Sequence, residues 1–384
     1  DMLLGVEPKD FDVATDATPE QVRKIFRRSR IIGRRFQIVH VMTGPETIEV
    51  TTFRGGGKVQ QNAHGRIMKD NTYGSIEEDA MRRDFTCNAL YYDPIREEIL
   101  DFHNGVNDIA ARSLVMIGDA AERYREDPVR ILRAVRLSGK LGFSVEESTA
   151  APIPEYAGHL KHEPVARLFD EIMKLLFSGH ARECLKKLNS LGVSDDIHPL
   201  LTALKSAEKP ENRIISLALK NTDERLRQDK SVSVGFVLAA VLWPDVNRRW
   251  QRNLAQGQKP APALTDAIES LRSDVEKGWG VPQRFAATMR EIWQFQPQFE
   301  QMRGARPHRL LAQQRFRAAY DFLVLRGEVG EIDRQTVEWW NSFQHADEGL
   351  RNEMTTNHAR AQGNEGVKKK RRRRPRKKKT EQGQ

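Results

Sequence analysis

The chain has 384 residues, a formal charge of +10 and 39% hydrophobic residues, enough for two or three domains with real cores. Its only cysteines, Cys87 and Cys184, lie far apart and outside any paired motif, which argues against a disulfide scaffold or a zinc site. No apolar run approaches the roughly 20 residues of a membrane span and no secretory signal opens the chain, so a soluble protein of a reducing cytoplasm is expected.

The charge is localised. Residues 368–379 hold eleven Lys or Arg, and subtracting them from +10 leaves −1 for the remainder. The block Lys368, Lys369, Lys370, Arg371, Arg372, Arg373, Arg374 and its continuation cannot bury itself. It is expected to be a disordered arm for a polyanion, RNA first; nuclear targeting and an anionic membrane surface answer to the same charge.

Taken in order, Lys9-Asp10-Phe11-Asp12-Val13 reads as a strand over 10–15. Side chains two apart on a strand share a face, with Cα atoms about 6.6 Å apart, so Asp10 and Asp12 can grip a divalent metal pair while Phe11 and Val13 turn toward a core. Pattern alone also allows a solvated turn. Thr18-Pro19-Glu20-Gln21 supplies an N-cap, a first-turn proline and a capping-box glutamine, predicting a helix through Phe26. The β-rich runs at 36–42 and 47–53 flank the turn Thr43-Gly44-Pro45-Glu46 and predict a hairpin. On its second strand Ile48, Val50 and Thr52 share one face and Glu49 the other, either a third carboxylate for the metal site or an exposed strand glutamate. Residues 55–75 read as a loop. Its Gly55-Gly56-Gly57-Lys58 is no phosphate-binding loop, because Val59 stands where Ser or Thr is required.

Arg82-Arg83-Asp84-Phe85-Thr86-Cys87-Asn88 combines guanidinium groups, which clamp phosphate bidentately, with an acid and an amide. A surface ion-pair cluster is the alternative. The mix recurs over Arg123–Arg133, where Glu126 and Asp127 are predicted at a helix start and Arg130 and Arg133 lie one turn apart. A carboxylate and an arginine there can read a base edge, or simply cap a salt-bridged helix. This helix should begin at Asp127-Pro128 and close at Gly142. Further helices are expected near 164–177, 213–220, 234–243, 264–276, 282–295 and 314–327, and no fold over 350–384.

With these motifs in this order, the chain over about 1–345 resembles the bacterial poly(A) polymerase I family of class II nucleotidyltransferases, which also includes tRNA CCA-adding enzymes. Asp1-Met2-Leu3-Leu4-Gly5 with Pro8-Lys9-Asp10-Phe11-Asp12 is similar to the end of the family's catalytic motif, 82–88 to its ribose and phosphate motif, and 126–130 to its base-selection motif. The resemblance implies that Asp10 and Asp12 bind two Mg²⁺ and that Asp84 belongs to the active site. It puts Glu49 where relatives carry a strand carboxylate, and assigns ATP to Arg83, Asn88, Glu126, Asp127, Arg130 and Arg133. The segment Ile31 to Val41 is similar to the one that sets the poly(A) branch apart; its Arg34 and Arg35 meet RNA phosphates or are solvated turn residues.

The implied fold is an N-terminally truncated α/β nucleotidyltransferase head with a mixed sheet (1–118), an all-α neck (119–180) and body (181–349), and a disordered basic tail (350–384). The truncation is expected because the family's glycine-rich turn, which precedes the aspartate seen here as Asp1, is missing. The implied activity is template-independent polyadenylation of RNA 3′ ends from ATP in mRNA processing and decay, by a cytoplasmic monomer. Through its tail the chain would also meet RNA-decay proteins or a membrane surface. CCA addition to tRNA is the alternative, and a catalytically impaired RNA-binding relative a second.

Overall fold

The computed structural model describes the chain except residues 1, 9–10, 34–36, 57–59, 62–66, 70–72, 195 and 366–384. Two compact units emerge, Asp1–Val232 with Ser273–Val281, and Ser233–Arg272 with Pro282–Gln384.

The first unit opens with strand β1 (Asp12–Thr15), helix α1 (Pro19–Ile25), and strands β2 (Ser29–Ile32), β3 (Ile38–Thr43) and β4 (Glu46–Thr52). They form a sheet of order β1-β4-β3-β2, with β1 parallel to β4 and the other pairs antiparallel. The expected capping box is made: the Gln21 amide donates to Thr18 Oγ1 at 3.3 Å and the Thr18 amide to Gln21 Oε1 at 2.7 Å. Val22 of α1 meets Val39, Val41 and Val50 in the core of the sheet. One expectation fails here, since Phe11 is 66% and Val13 42% exposed. The reason is topological: α1 packs chiefly on β2, β3 and β4, while β1 is the edge strand on the far side of β4.

A short pair, β5 (Gln60–Gln61) with β6 (Ile67–Lys69), precedes α2 (Ile76–Met81), the hairpin β7 (Leu90–Asp93) and β8 (Glu98–Asp101), and α3 (Gly105–Ala110). Strand β9 (Ser113–Leu114) leads to helices α4 (Ala120–Glu126) and α5 (Val129–Leu141), after which the chain returns as β10 (Ser144–Val145) to pair with β9 in parallel. The expected start at Asp127-Pro128 holds, but Glu126 is corrected: it ends a helix of its own. Asp127 is extended (φ −149°, ψ 91°), as a residue before proline tends to be, and Pro128 opens α5. Gly142, at φ 67°, closes α5 as expected.

Small helices α6 (Glu147–Ala150) and α7 (Ile153–Tyr156) precede α8 (Val165–Leu176), α9 (Ala181–Ser190), α10 (Pro199–Lys205) and α11 (Arg213–Arg227). Gly139 lets α5 lie directly on α9, because a Cβ there would sit 2.6 Å from the Cys184 Cα.

The second unit is helical, with α12 (Val234–Ala255), most of α13 (Pro260–Gly278), α14 (Gln283–Phe295), α15 (Arg306–Leu311), α16 (Phe316–Glu328), α17 (Arg334–His345) and α18 (Glu348–Glu365). α12 runs through Pro244 well past its expected end, held by the buried Trp243 and Trp250 on either side. An aromatic core gathers Phe299, Phe316, Tyr320, Trp340 and Phe343. α18 corrects the expectation of no fold from residue 350. Asp347 Oδ1 accepts from the Leu350 amide at 2.8 Å, Arg351 donates to the Phe343 and Gln344 carbonyls, and Met354 packs on the aromatic core. The basic block at 368–379 lies outside the described residues. No helix among the described residues is long and apolar enough to cross a membrane.

Candidate active site

The sheet sets one row of polar side chains in register. Asp12 on β1 pairs with Glu49 on β4, Glu49 with His40 on β3, and His40 with Arg30 on β2. Directly opposed residues share a face, so this row lies on the side opposite Val13, Val50 and Val39. His40 Nε2 lies 3.2 Å from Glu49 Oε1. Asp10 lies outside the described residues, as do Arg34 and Arg35. Among the described residues no three His, Cys, Asp or Glu form a metal-holding group, so Asp84 is not gathered with Asp12 and Glu49.

Asp84 instead anchors a second constellation. It follows α2, is 7% exposed, and has both oxygens engaged: Oδ1 accepts from the Phe85 amide at 2.9 Å and Asn88 Nδ2 at 3.3 Å, and Oδ2 from Arg133 Nε at 2.5 Å. Burial alone would lower the Arg133 guanidinium, but the Asp84 charge and hydrogen bond outweigh it and the net shift is upward. Arg83 is also committed within the chain, donating to the Tyr91 hydroxyl at 3.1 Å, the Asn88 carbonyl at 3.1 Å and Asp79 Oδ2 at 3.3 Å. Burial, then the hydrogen bond to Asp79, pushes the Tyr91 phenol up to about 12, so it stays a neutral donor. The neighbouring Cys87 thiol is likewise pushed up to about 12, by burial and then by Asp84, and stays protonated rather than nucleophilic.

From the helical side, Asp127 Oδ1 accepts from the Val129 amide at 3.2 Å and Oδ2 from Arg167 Nη2 at 2.6 Å. Arg130 donates to the Arg123 carbonyl at 2.7 Å and to Glu126 Oε2 at 3.0 Å.

These groups line a cleft of about 720 Å³ with six arginines and Lys174 against Asp84, Asp127, Asp170 and Glu171. Seven cations against four carboxylates in a space of nucleotide size favour a polyanionic ligand. Of the residues expected at ATP, Arg83, Asn88, Asp127, Arg130 and Arg133 line this cleft. Glu126 does not; it reaches the cleft through its ion pair with Arg130, and also pairs with Arg123 behind it.

Sequence alone gave no role to Arg54, Arg123, Arg167, Asp170, Glu171 or Lys174. A usable signal existed for α8, where residues 167, 170, 171 and 174 fall on one polar face of a helix otherwise rich in Leu, Ile and Phe. Glu171 is buried, joined to Arg136 at 2.8 Å and Lys174 at 3.2 Å.

Residues 1–115 match the family described as poly A polymerase head domain, residues 142–205 that described as probable RNA and SrmB-binding site of polymerase A, and residues 256–378 the polymerase A arginine-rich C-terminus. The chain is 43% identical over 359 residues to poly(A) polymerase I of Escherichia coli O157:H7, covering 90% of this chain and 77% of the relative. It is 37% identical over 368 residues to that of Haemophilus influenzae, covering 92% and 81%. The CCA-adding enzyme of Geobacillus kaustophilus is 37% identical over only 193 residues, half of this chain and 47% of the relative. Among solved structures, the Bacillus stearothermophilus CCA-adding enzyme in complex with CTP is similar at a TM-score of 0.56 and 25% identity, over 94% of this chain and 75% of that one. Sequence identity sustained along nearly the whole chain, through head, neck and arginine-rich C-terminus alike, decides between the two branches: this chain belongs to the bacterial poly(A) polymerase I family of nucleotidyltransferases.

Proposed function

We propose that this chain adds AMP from ATP to RNA 3′ ends without a template, releasing pyrophosphate. The observation that carries the reading is the cation-lined cleft, with Asp127 and Arg130 on its wall and Arg133 fixed by Asp84. Holding Arg133 in place before substrate arrives removes reorganisation from the reaction, and charge stabilisation by prepositioned groups is what phosphoryl transfer chiefly needs. Asp127 accepts from an exocyclic amino group and Arg130 donates to a ring nitrogen. Adenine and cytosine both present that pair, whereas guanine and uracil present the reverse. Base-edge contacts therefore reject GTP and UTP, and the choice of ATP over CTP falls to the shape of the site.

Asp12 and Glu49, with Asp10, are the groups that would hold Mg²⁺, an all-oxygen donor set that suits this hard cation. When bound, the ions supply the charge that eases ionisation of the RNA 3′-hydroxyl and neutralises the departing pyrophosphate. The residues of the chain orient that hydroxyl in line with the α-phosphate and fix the triphosphate on the arginines. Asp84 acts here as the holder of Arg133 rather than as a metal ligand.

The helical remainder and the basic block carry the RNA, with Arg34 and Arg35 meeting phosphates near the head. Cytoplasmic RNA is the setting this charge fits; an anionic membrane surface and RNA-decay proteins are further partners of the tail, and the acting form is a monomer. Removing 368–384 should weaken RNA binding while leaving the ATP KM unchanged. It should also flatten the salt dependence by a log–log slope of about 0.7 for each phosphate no longer neutralised.

The decisive experiment is extension of a short labelled RNA with Mg²⁺ and either ATP or CTP alone. Long ladders with ATP only are expected. CTP incorporation on tRNA, ending after a fixed number of nucleotides, would move the reading to CCA addition, the activity named for the structurally similar enzyme. No extension with either nucleotide would leave RNA binding alone.

A further inference from the structure

Arg123 is a partly buried guanidinium that faces three acceptors at once. Its Nη2 donates to the Arg82 carbonyl at 2.9 Å and the Arg83 carbonyl at 2.6 Å, and its Nη1 to Glu126 Oε2 at 2.9 Å. The side chain is only 15% exposed and Nε has no hydrogen-bond partner among the described residues, so the fork is committed through its two terminal nitrogens. The two carbonyls follow the end of α2, where helix carbonyls lack intrahelical donors and a cation is favoured. They belong to the residues that present Arg82, Arg83 and Asp84 to the cleft. Glu126 is shared with Arg130, which also donates to the Arg123 carbonyl, so Arg123 is tied to the arginine that faces the base directly through its backbone and, through Glu126, by its guanidinium.

We infer that Arg123 is a positioning residue that locks the base-reading Arg130 and the 82–84 segment into one rigid unit, so that nucleotide choice and phosphate placement depend on the same guanidinium. Segment 82–84 is gripped twice from the helical side: by Arg123 through its backbone and by Arg133 through Asp84. Lysine in place of Arg123 keeps the charge but loses the planar fork, and cannot serve two carbonyls and a carboxylate on opposite sides. Arg123 itself does not line the cleft, which separates it from the groups that touch the nucleotide.

The inference rests on the reading of Arg130 as a base contact, and the test keeps the two apart. With the full chain, an RNA primer and Mg²⁺, kcat and KM for ATP and the ATP-over-GTP ratio of kcat/KM are measured for Arg123→Lys, Glu126→Gln, Arg130→Ala and the double variant Arg123→Lys/Arg130→Ala. Arg123→Lys should raise the ATP KM and lower the ATP-over-GTP ratio, each by about tenfold or more, as small misplacements of a reacting group do. The RNA KM and melting temperature should stay near those of the parent. Glu126→Gln, which keeps both carbonyl contacts, should lower the ratio with a smaller change in KM and serves if Arg123→Lys folds poorly. In the double variant the ratio should fall no further than in Arg130→Ala. A lowered melting temperature with parental KM and ratio would overturn the inference and leave Arg123 a helix cap. An unchanged ratio in Arg130→Ala would instead overturn the base-reading assignment.

Discussion

Arg326 in the second unit and Arg133 in the first each meet a carboxylate through Nε, Glu331 at 3.0 Å and Asp84 at 2.5 Å, yet their surroundings are opposite. Arg326 is 3% exposed, stacked 4.7 Å from the Trp243 ring and bonded to Gln296, while Glu331 also takes the Trp243 indole N–H at 2.7 Å. Every one of these contacts closes on the unit's own side chains. Arg133 is 36% exposed and shares an open cleft with other cations that would repel one another without an anion. The difference separates a charge used for packing from a charge kept for a ligand. Pairing with a carboxylate does not tell the two apart; what surrounds the remaining guanidinium edge does.

The comparison predicts opposite phenotypes. The largest effect should come from Asp12→Asn, which removes a charged oxygen from the strand pair: AMP incorporation should fall by about 10³-fold. The melting temperature should hold, since Asp12 is exposed on an edge strand. Retention of near-parental rates would remove Asp12 from the metal site. Arg326→Met should do the reverse, destabilising the second unit by about 2–4 kcal/mol because Glu331 loses its cation. The ATP KM of the folded protein should not move; denaturant unfolding followed by tryptophan fluorescence beside steady-state kinetics checks both halves.

A smaller, pH-graded effect belongs to His198, buried in the first unit and pushed down to about 4 by burial. Its folded value lies below the unfolded one near 6.5, so protonation favours the unfolded chain. The contribution is full above the unfolded value and is lost as pH falls toward 4, by at most about 3 kcal/mol. His198→Asn, which can still accept from the Leu200 amide as His198 Nδ1 does, should flatten that part of the pH–stability curve. An unchanged slope would show that the imidazole is already solvated.

The head hairpin was legible because alternation and a turn tetrapeptide are local codes, and α1 because its cap lies within four residues. The long helices were legible from their period. The start at Asp127-Pro128 is legible from its proline, but the charge pattern does not show that Glu126 belongs to the preceding helix, which ends there because the preproline Asp127 is extended. α18 was missed because its support comes from Arg351 and Met354 reaching back to α17 and the aromatic core, a gain that polar composition does not reveal. In the site, Asp12 and Glu49 could be nominated separately, but their pairing is a register across parallel strands.

The sequence by itself determined the alternation of strands and helices in the head, the helical remainder, the concentration of positive charge at the C-terminus, and the residue types that carry the chemistry. These follow from interactions spanning a few residues, or from composition. Only the tertiary structure decided which distant cation a carboxylate meets, with Asp84 taken by Arg133 from 49 residues away and Asp127 by Arg167 from 40. A charged side chain has no preferred partner in the linear chain, and its role is fixed only when packing of the apolar faces brings one counter-charge within hydrogen-bond reach and holds the others away.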